Sequence, residues 1–313
     1  LLVVIAAFTG RYPRAGITWP TEFIDDPLGM RLLLGLRLPR VIAGVLLGAG
    51  LGGAGAVMQM LFGNPLVEPG MIGVSQGAGF GAVLAIVAGA GAAWQIQISA
   101  TICALIGLAI AYQVARRLRF GGWVLRLILS GLAVSALFSA GIGLLKFVAD
   151  PLNELPEITF WLLGGIWNTN WPGLLRMAPG VIVGIAVVLA GRRRLNLLTL
   201  HDRISFSLGA DPDRERLLFL TAATVPVAIL VAYAGIISWV GLLIPHAARR
   251  VFRADAVISV PASMLMGAAF VLVADTFART VVSGEIPLGI VTAFFGAIGF
   301  IALLLTHNIR MTK

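Results

Sequence analysis

The residues able to do chemistry in this chain are few, and most sit at the ends of apolar runs. Arg37 and Arg40 flank Leu38-Pro39 just before a glycine-rich apolar stretch, and Arg279 closes another. A guanidinium offers a carboxylate two parallel hydrogen bonds, so these three suit recognition of acidic groups on a partner. Asp275 and Glu285 bracket the ends of the last two apolar runs, where a carboxylate can relay a proton, cap a helix or pair with Arg279. His246 follows Pro245, while His201 and His307 lie in polar connections, and no two histidines have metal-ligand spacing. The single cysteine, Cys103, lies within an apolar run and reads as a small core residue, so neither a disulfide framework nor a thiolate metal site is expected. Met58 and Met60 flank Gln59 and read as packing rather than as a soft-metal path. No His, Glu, Asp or Ser constellation falls inside an apolar run, and no acid except Asp275 approaches a span centre. An intramembrane enzyme and a proton-coupled carrier are therefore both disfavoured. The chain also lacks a G-x-x-x-x-G-K-[ST] phosphate loop and any soluble domain to carry one.

The elements that must position these residues follow from composition. The 313 residues are 59% hydrophobic and 12% charged, with a mean hydropathy of +0.97; soluble domains carry about 25% charged residues. This is the composition of a polytopic membrane protein, in which each span needs roughly 20 apolar residues. Dividing the longest runs at Ala90-Gly91 and Ala234-Gly235 gives an all-α fold of ten membrane helices, at about 1–9, 41–62, 72–92, 95–115, 124–147, 173–191, 217–233, 236–252, 256–276 and 287–306. The apolar start at Leu1 reads as the end of a first span rather than as a signal peptide, because no basic region precedes it. Arg116, Arg117, Arg119, Arg126, Arg192 to Arg194, Arg203, Arg214, Arg216, Arg249, Arg250, Arg253, Arg310 and Lys313 then fall on one face. By the positive-inside rule that face is cytoplasmic and holds both termini. Glu22, Asp25, Asp26, Asp150, Glu154 and Glu157 belong to the opposite face. The net charge of +9 reads as topology and lipid contact, with no nucleic-acid partner expected.

Three interruptions stand out in this single 1–313 transmembrane domain. Asn64-Pro65-Leu-Val-Glu68-Pro69-Gly70 removes backbone donors where a new span should begin. The segment at about 150–171, with Trp161-Leu-Leu-Gly164-Gly165, is too short to span and too apolar for a free loop; a half-helix lining a vestibule satisfies its backbone. The polar connection at about 192–216 carries Leu200, Ile204, Phe206 and Leu208 among charges, with Gly209 at a helix stop. A short amphipathic helix there is either a lipid-surface element or a docking knob for a partner. Gly44, Gly48 and Gly52, and again Gly77 and Gly81, repeat at the four-residue spacing that lets helices approach closely. Arg40 to Pro65 and Arg216 to Pro245 echo one another faintly, as internal transporter repeats do.

Together these strings resemble the permease family of bacterial ABC importers for iron chelates, haem and vitamin B12. The carriers of the resemblance are Arg37-Leu-Pro-Arg40, Gly55 to Gln59, Asn64-Pro65 to Ser75, Leu129 to Ser135, Trp161 to Gly165, Val240 to His246, Asp275 to Arg279 and Glu285 to Gly289. They cover nearly the whole chain in the family's order. The resemblance implies a homodimer in the bacterial inner membrane, with two ATPase subunits on the cytoplasmic side and a periplasmic substrate-binding protein outside. ATP and Mg would then belong to the ATPase, with no cofactor or metal bound by this chain. Carried over by position, Arg37, Arg40 and Arg279 match the arginines that pair with glutamates of the binding protein. His201, Asp202, Ser205, Ser207, Leu208, Gly209, Ala210 and Asp211 match the ATPase-coupling helices. Asn64, Pro65, Pro69, Gly70, Trp161, Gly164 and Gly165 fall at helix breaks along the pathway. The wall of that pathway is expected from the fifth, eighth and tenth spans. Where the family has Gly-Ala-Pro-Phe-Phe, this chain has Gly296-Ala-Ile-Gly-Phe300, which leaves the kink there open. An iron chelate, haem or siderophore, is the expected cargo, then cobalamin, then an oxyanion such as molybdate or tungstate.

Overall fold

A computed structural model describes residues 1–10, 12, 16–17, 26–282 and 284–305. Glu22, Asp25, Arg310 and Lys313, which entered the charge reading, and His307 lie outside the described residues. Apart from a two-residue ladder, Thr9–Gly10 on Gly16–Ile17, the described secondary structure is helical. The helices are α1 (Leu2–Phe8), α2 (Pro27–Phe62), α3 (Val74–Val87), α4 (Ala93–Arg117), α5 (Trp123–Val148), α6 (Glu154–Leu163), α7 (Trp171–Leu198), α8 (Asp202–Ser207), α9 (Pro212–Ala234), α10 (Val240–Phe252), α11 (Ala256–Thr280) and α12 (Leu288–Leu305).

Each of the ten expected spans is helical over most of its length, but the bounds differ in instructive ways. Among the described residues, α2, α4, α5, α7, α9, α11 and α12 are long and apolar enough to cross a membrane. Helices α3 (14 residues) and α10 (13 residues) are shorter: α3 stops at Val87, leaving 88–92 of its expected span outside it, and the 235–239 segment before α10 is not helical. Helix α2 begins well before the expected residue 41. Asp26 caps it, accepting from the Leu28 amide at 3.0 Å, and Pro27 occupies its first turn. Pro39 has no N–H to offer the preceding turn, and the helix widens to a π turn over Leu33–Arg37, where the Leu38 amide reaches back to the Leu33 carbonyl. The neighbouring Leu34 carbonyl is met by the Trp171 indole at 2.8 Å.

Helix α2 is the central element. Of its most apolar stretch 78% is buried, against 61% for α9, 50% for α11, 28% for α4 and α5 and 22% for α12. The glycine pattern explains the centre. A Cβ at Gly48 or Gly52 would collide with the Gly267 or Ser263 carbonyl of α11, and one at Gly77 or Gly81 would meet the Cys103 or Ser99 carbonyl of α4. Backbones thus touch where side chains are missing, as packing without a hydrophobic drive in lipid requires. Gly48→Leu should lower the melting temperature of the detergent-solubilised protein, consistent with an overpacking cost of about 1–3 kcal/mol. Gly35→Ala, at a position with open space around it, should leave it unchanged, and scanning fluorimetry of both checks the assignment.

Candidate functional site

At one end of the bundle the fold brings Arg37 and Arg40 of α2 beside Arg279 in the last turn of α11. These arginines turn inward. Arg40 donates from Nε (3.0 and 3.2 Å) and Nη2 (2.8 Å) to Asp275, and from Nη1 (2.9 Å) to Glu285. Arg279 holds Nε 3.6 Å from the Asp275 carboxylate and donates through Nη2 to the Ala6 carbonyl. Arg37 donates to the carbonyls of Ala7 (3.4 Å) and Tyr12 (2.8 Å). Asp275 is 2% exposed and Arg279 8%, so the carboxylate sits between two guanidiniums and ties α1, α2 and α11 together. Its chief partner is Arg40 rather than Arg279, because the glycine contact of α2 on α11 sets Arg40 opposite it.

Deeper in the bundle the helix breaks meet one another. Phe62 is followed by Gly63 at φ 59°, whose left-handed backbone ends α2, and the Asn64 side chain accepts from the Leu66 amide at 2.9 Å. Pro65 follows in this turn; Pro69 and Gly70 open a short 3₁₀ turn, Pro69–Ile72, which Gly73 ends at φ 88° before α3 starts. Opposite lies the second break, 235–239, between α9 and α10. Trp239 there has φ 73°, strained for a tryptophan, with its backbone N–H near the Glu68 carboxylate. Pro245 in α10 has no N–H, which frees the Gly241 carbonyl one turn earlier. Buried Gln59 of α2 donates to that carbonyl (3.3 Å) and to Leu242 (3.1 Å), while its own oxygen accepts from Arg249. Glu68, Ser75, Gln76, Ser135 and Ser238 line a cavity of about 220 Å³ here, together with Leu51 from the middle of α2. An acid thus does lie at mid-span depth, and it is Glu68, not Asp275.

The half-helix α6 joins the same junction from the other side. It is shorter than the expected 150–171, with Glu154 accepting from the Asp150 amide at 2.9 Å at its start and Gly164 (φ 69°) at its end. The Gly165 amide donates to Ala234 (2.7 Å) and the Gly289 amide to Gly164 (3.3 Å). A Cβ at Gly235 would strike the Trp161 carbonyl. Trp161, Gly164 and Gly165 are therefore brought onto the 235–239 break and the start of α12. In α12 the Gly296 to Phe300 string continues as regular helix, with the Trp239 side chain seated on Gly296 and its ring 5.9 Å from Phe300.

At the opposite, arginine-rich end, α8 stands between α7 and α9. His201 precedes it, Leu208 ends it and Gly209 (φ 83°) turns the chain toward Asp211, which caps α9. Asp202 accepts two hydrogen bonds from Arg216 (2.6 and 3.1 Å), and Glu215 pairs with Arg194. Of the residues assigned to coupling, Ser205 and Ala210 are buried; the Ser205 hydroxyl donates to the Leu197 carbonyl at 2.6 Å. His201, Asp202, Ser207, Leu208, Gly209 and Asp211 are exposed, and beside them Phe206 is 72% and Ile204 51% exposed. The helix thus presents an apolar knob on a charged, tied-down base.

The chain matches the model of the FecCD transport family over residues 1–306. It is 37% identical over 309 residues to the molybdate import system permease protein MolB of Haemophilus influenzae, covering 95% of this chain and 90% of that one. Identity to a probable iron chelatin transport system permease protein of Helicobacter pylori is 39% over 275 residues, covering 87% and 82%. Relatives of similar identity include permeases for hemin, iron(3+)-hydroxamate and vitamin B12. Among solved structures, an inward-facing metal-chelate type ABC transporter superposes with a TM-score of 0.89 at 35% identity, covering 98% of this chain and 96% of that one.

Two outcomes follow from the site geometry. Arg40→Ala leaves buried Asp275 without its bidentate partner and should destabilise the protein by about 3–5 kcal/mol; thermal denaturation of Arg40→Ala, Asp275→Ala and the double variant should show coupling of about 0.5–3 kcal/mol. The hydrogen bonds from Arg216 hold the Asp202 carboxyl below the usual carboxylate value, against partial desolvation and aided by the charge of Arg216. A lowered folded-state pKa stabilises above the ordinary value of 3.8 and is lost as pH falls through the lowered one. The melting-temperature gap between wild type and Asp202→Asn should therefore stay constant from about pH 8 to 5 and close below the ordinary carboxylate range.

Proposed function

The chain belongs to the FecCD transport family, and from that premise we propose that it carries an iron chelate, haem or siderophore, across the bacterial inner membrane. It is the permease of an ABC importer, a transport protein and not an ATPase. The finer reading is a homodimer, fed by a periplasmic binding protein and driven by two ATPase subunits that hold ATP and Mg. Both termini lie in the cytoplasm on this reading, because Arg116, Arg117, Arg192 to Arg194, Arg216, Arg249 and Arg250 share the end that carries α8. One observation carries the assembly: α8 projects Ile204, Phe206 and Leu208 into open space at that end. An apolar knob held by Asp202–Arg216 suits a groove on an ATPase, and coupling then needs only that the contact differ between two states.

At the other end, Arg37, Arg40 and Arg279 are the docking residues of this reading. Their present partners include Glu285, which is 40% exposed, so docking would exchange that carboxylate for one on the binding protein. The Asp275 half of the cluster stays as the platform. Helices α5 and α12, the least buried of the long helices with α4, offer apolar faces for a twin subunit and a passage. Such a wall lets a bulky chelate slip by, leaving selectivity to the binding protein. The iron chelatin, hemin and hydroxamate relatives support an iron chelate. The molybdate relative, matching 95% of this chain, supports an oxyanion as the second reading.

A tagged copy of the chain drawn from native membranes should carry two copies of itself and two of an ATPase. Phe206→Glu with Leu208→Glu should release the ATPase, as loss of an interface hot spot of about 2 kcal/mol or more would, while the permease dimer stays intact by size exclusion. Vesicles holding the complex should take up ferric chelate or haem on addition of ATP; uptake of molybdate alone would move the assignment to the oxyanion.

A further inference from the structure

A groove of about 510 Å³ opens between α4, α7 and α9, on the side of the molecule away from the α2–α11 contact. Its floor is apolar, with Ile98 and Ile102 from α4, Met177 from α7 and Ile229 from α9. At Gly180 the α7 backbone packs directly on Ile229; a Cβ there would stand 2.5 Å from that side chain. At the rim stand Trp94, the second residue of α4, Tyr233, the last but one of α9, and Arg176, in the second turn of α7.

Trp94 and Arg176, near the N-terminal ends of α4 and α7, and Tyr233, near the C-terminal end of α9, come together at the end of the bundle opposite the arginine-rich face. Trp94, 48% exposed, stands where aromatic residues mark the headgroup region of a bilayer. Arg176 is exposed and has no carboxylate within ion-pair distance among the described residues. Glu157 lines the adjoining cavity, but the two do not pair. A guanidinium facing lipid in this position reaches up to the headgroups along its alkyl stem, and its natural counter-ion there is a phosphate.

We propose that this groove binds one anionic phospholipid per protomer, with the phosphate on Arg176 and an acyl chain laid over Ile98, Ile102 and Ile229. The charge argues for this occupant. A second copy of the chain would have to bury Arg176 without a partner, whereas an anionic lipid supplies the missing charge and leaves the guanidinium at the wet interface. Arg176 and Tyr233 also line the cavity that reaches Trp161 and Gly165, so the bound headgroup would lie against the segment that follows half-helix α6. The site requires only that the chain span a membrane and is independent of its cargo and orientation.

The test is native mass spectrometry of the intact complex in mild detergent, titrated with phosphatidylglycerol or phosphatidylcholine. Wild type should retain phosphatidylglycerol in preference to phosphatidylcholine by about fivefold, the scale of one basic residue at an anionic surface. Arg176→Gln should lose that preference, and Thr101→Trp, which fills the groove, should lose the bound lipid with the melting temperature and dimer mass unchanged. Equal retention of the two lipids by wild type, or undiminished preference in Arg176→Gln, overturns the proposal. A change of oligomeric state in Thr101→Trp would do so as well, by making the groove a contact between copies.

Discussion

A carbonyl released inside a lipid-surrounded bundle has no water to turn to, and everything about the centre of this protein is arranged around that constraint. Pro245 frees the Gly241 carbonyl, and Gln59 answers it from the neighbouring helix; Trp239 adopts a left-handed backbone with its N–H near the Glu68 carboxylate. The 235–239 break and the carbonyls that follow it are thus completed from α2 and the 63–73 segment. Leaving one such group unpaired costs roughly as much as several well-packed methyl groups contribute. Gln59 can reach only because Gly55 lets α2 touch α10 backbone to backbone, where a Cβ would meet the Gly241 carbonyl.

The same logic sets the two ends apart. At the end bearing Asp275 the charges are paired to the point of burial, whereas at the α8 end the ion pairs are peripheral and apolar side chains are left outside. Asp275 with two guanidiniums rigidifies α1, α2 and α11 against one another, since separating any of them strands a charge. Pairs such as Arg216 with Asp202, where the carboxylate is 61% exposed, tether without locking. A rigid platform at one end and a tethered knob at the other is what a machine driven from one side requires.

Much of this was legible in the sequence, and the failures are of one physical kind. The Asn64 to Gly70 break and the half-helix around Trp161 are legible because proline and glycine act on their own backbone. The glycine contacts are legible because a four-residue spacing places them on one face. The bounds of α3 and α10 are not, since Gly89 and Gly235 announce a turn but not how many residues it consumes. The sequence places Arg37, Arg40 and Arg279 at one end, yet their inward aim depends on Asp275 and on the α1 carbonyls across a tertiary contact. Glu68 was passed over for the same reason: it stands in a turn by sequence and at mid-span by packing. A polar residue beside a break signals such a partner, and Gln59, Glu68 and Arg249 are those signals here.

Between the break junction and α8 lies a cavity of about 490 Å³ lined by Gln59, Asn64, Pro65, Leu200, Arg216 and Arg249. Arg216 belongs to the clasp on Asp202, and Arg249 to the hydrogen-bond chain through Gln59 to the freed carbonyls of α10. A displacement of α8 that moves Arg216 therefore reaches this cavity without crossing packed core. From there Arg249 can shift only by releasing Gln59, and Gln59 only by exposing the Gly241 carbonyl. Interiors packed to crystal density do not deform by degrees, so such a chain passes from one fully satisfied arrangement to another or does not move. Helices broken in the membrane are costly to keep, and the position of these two, beside the element that a partner would push, is a physical reason for keeping them.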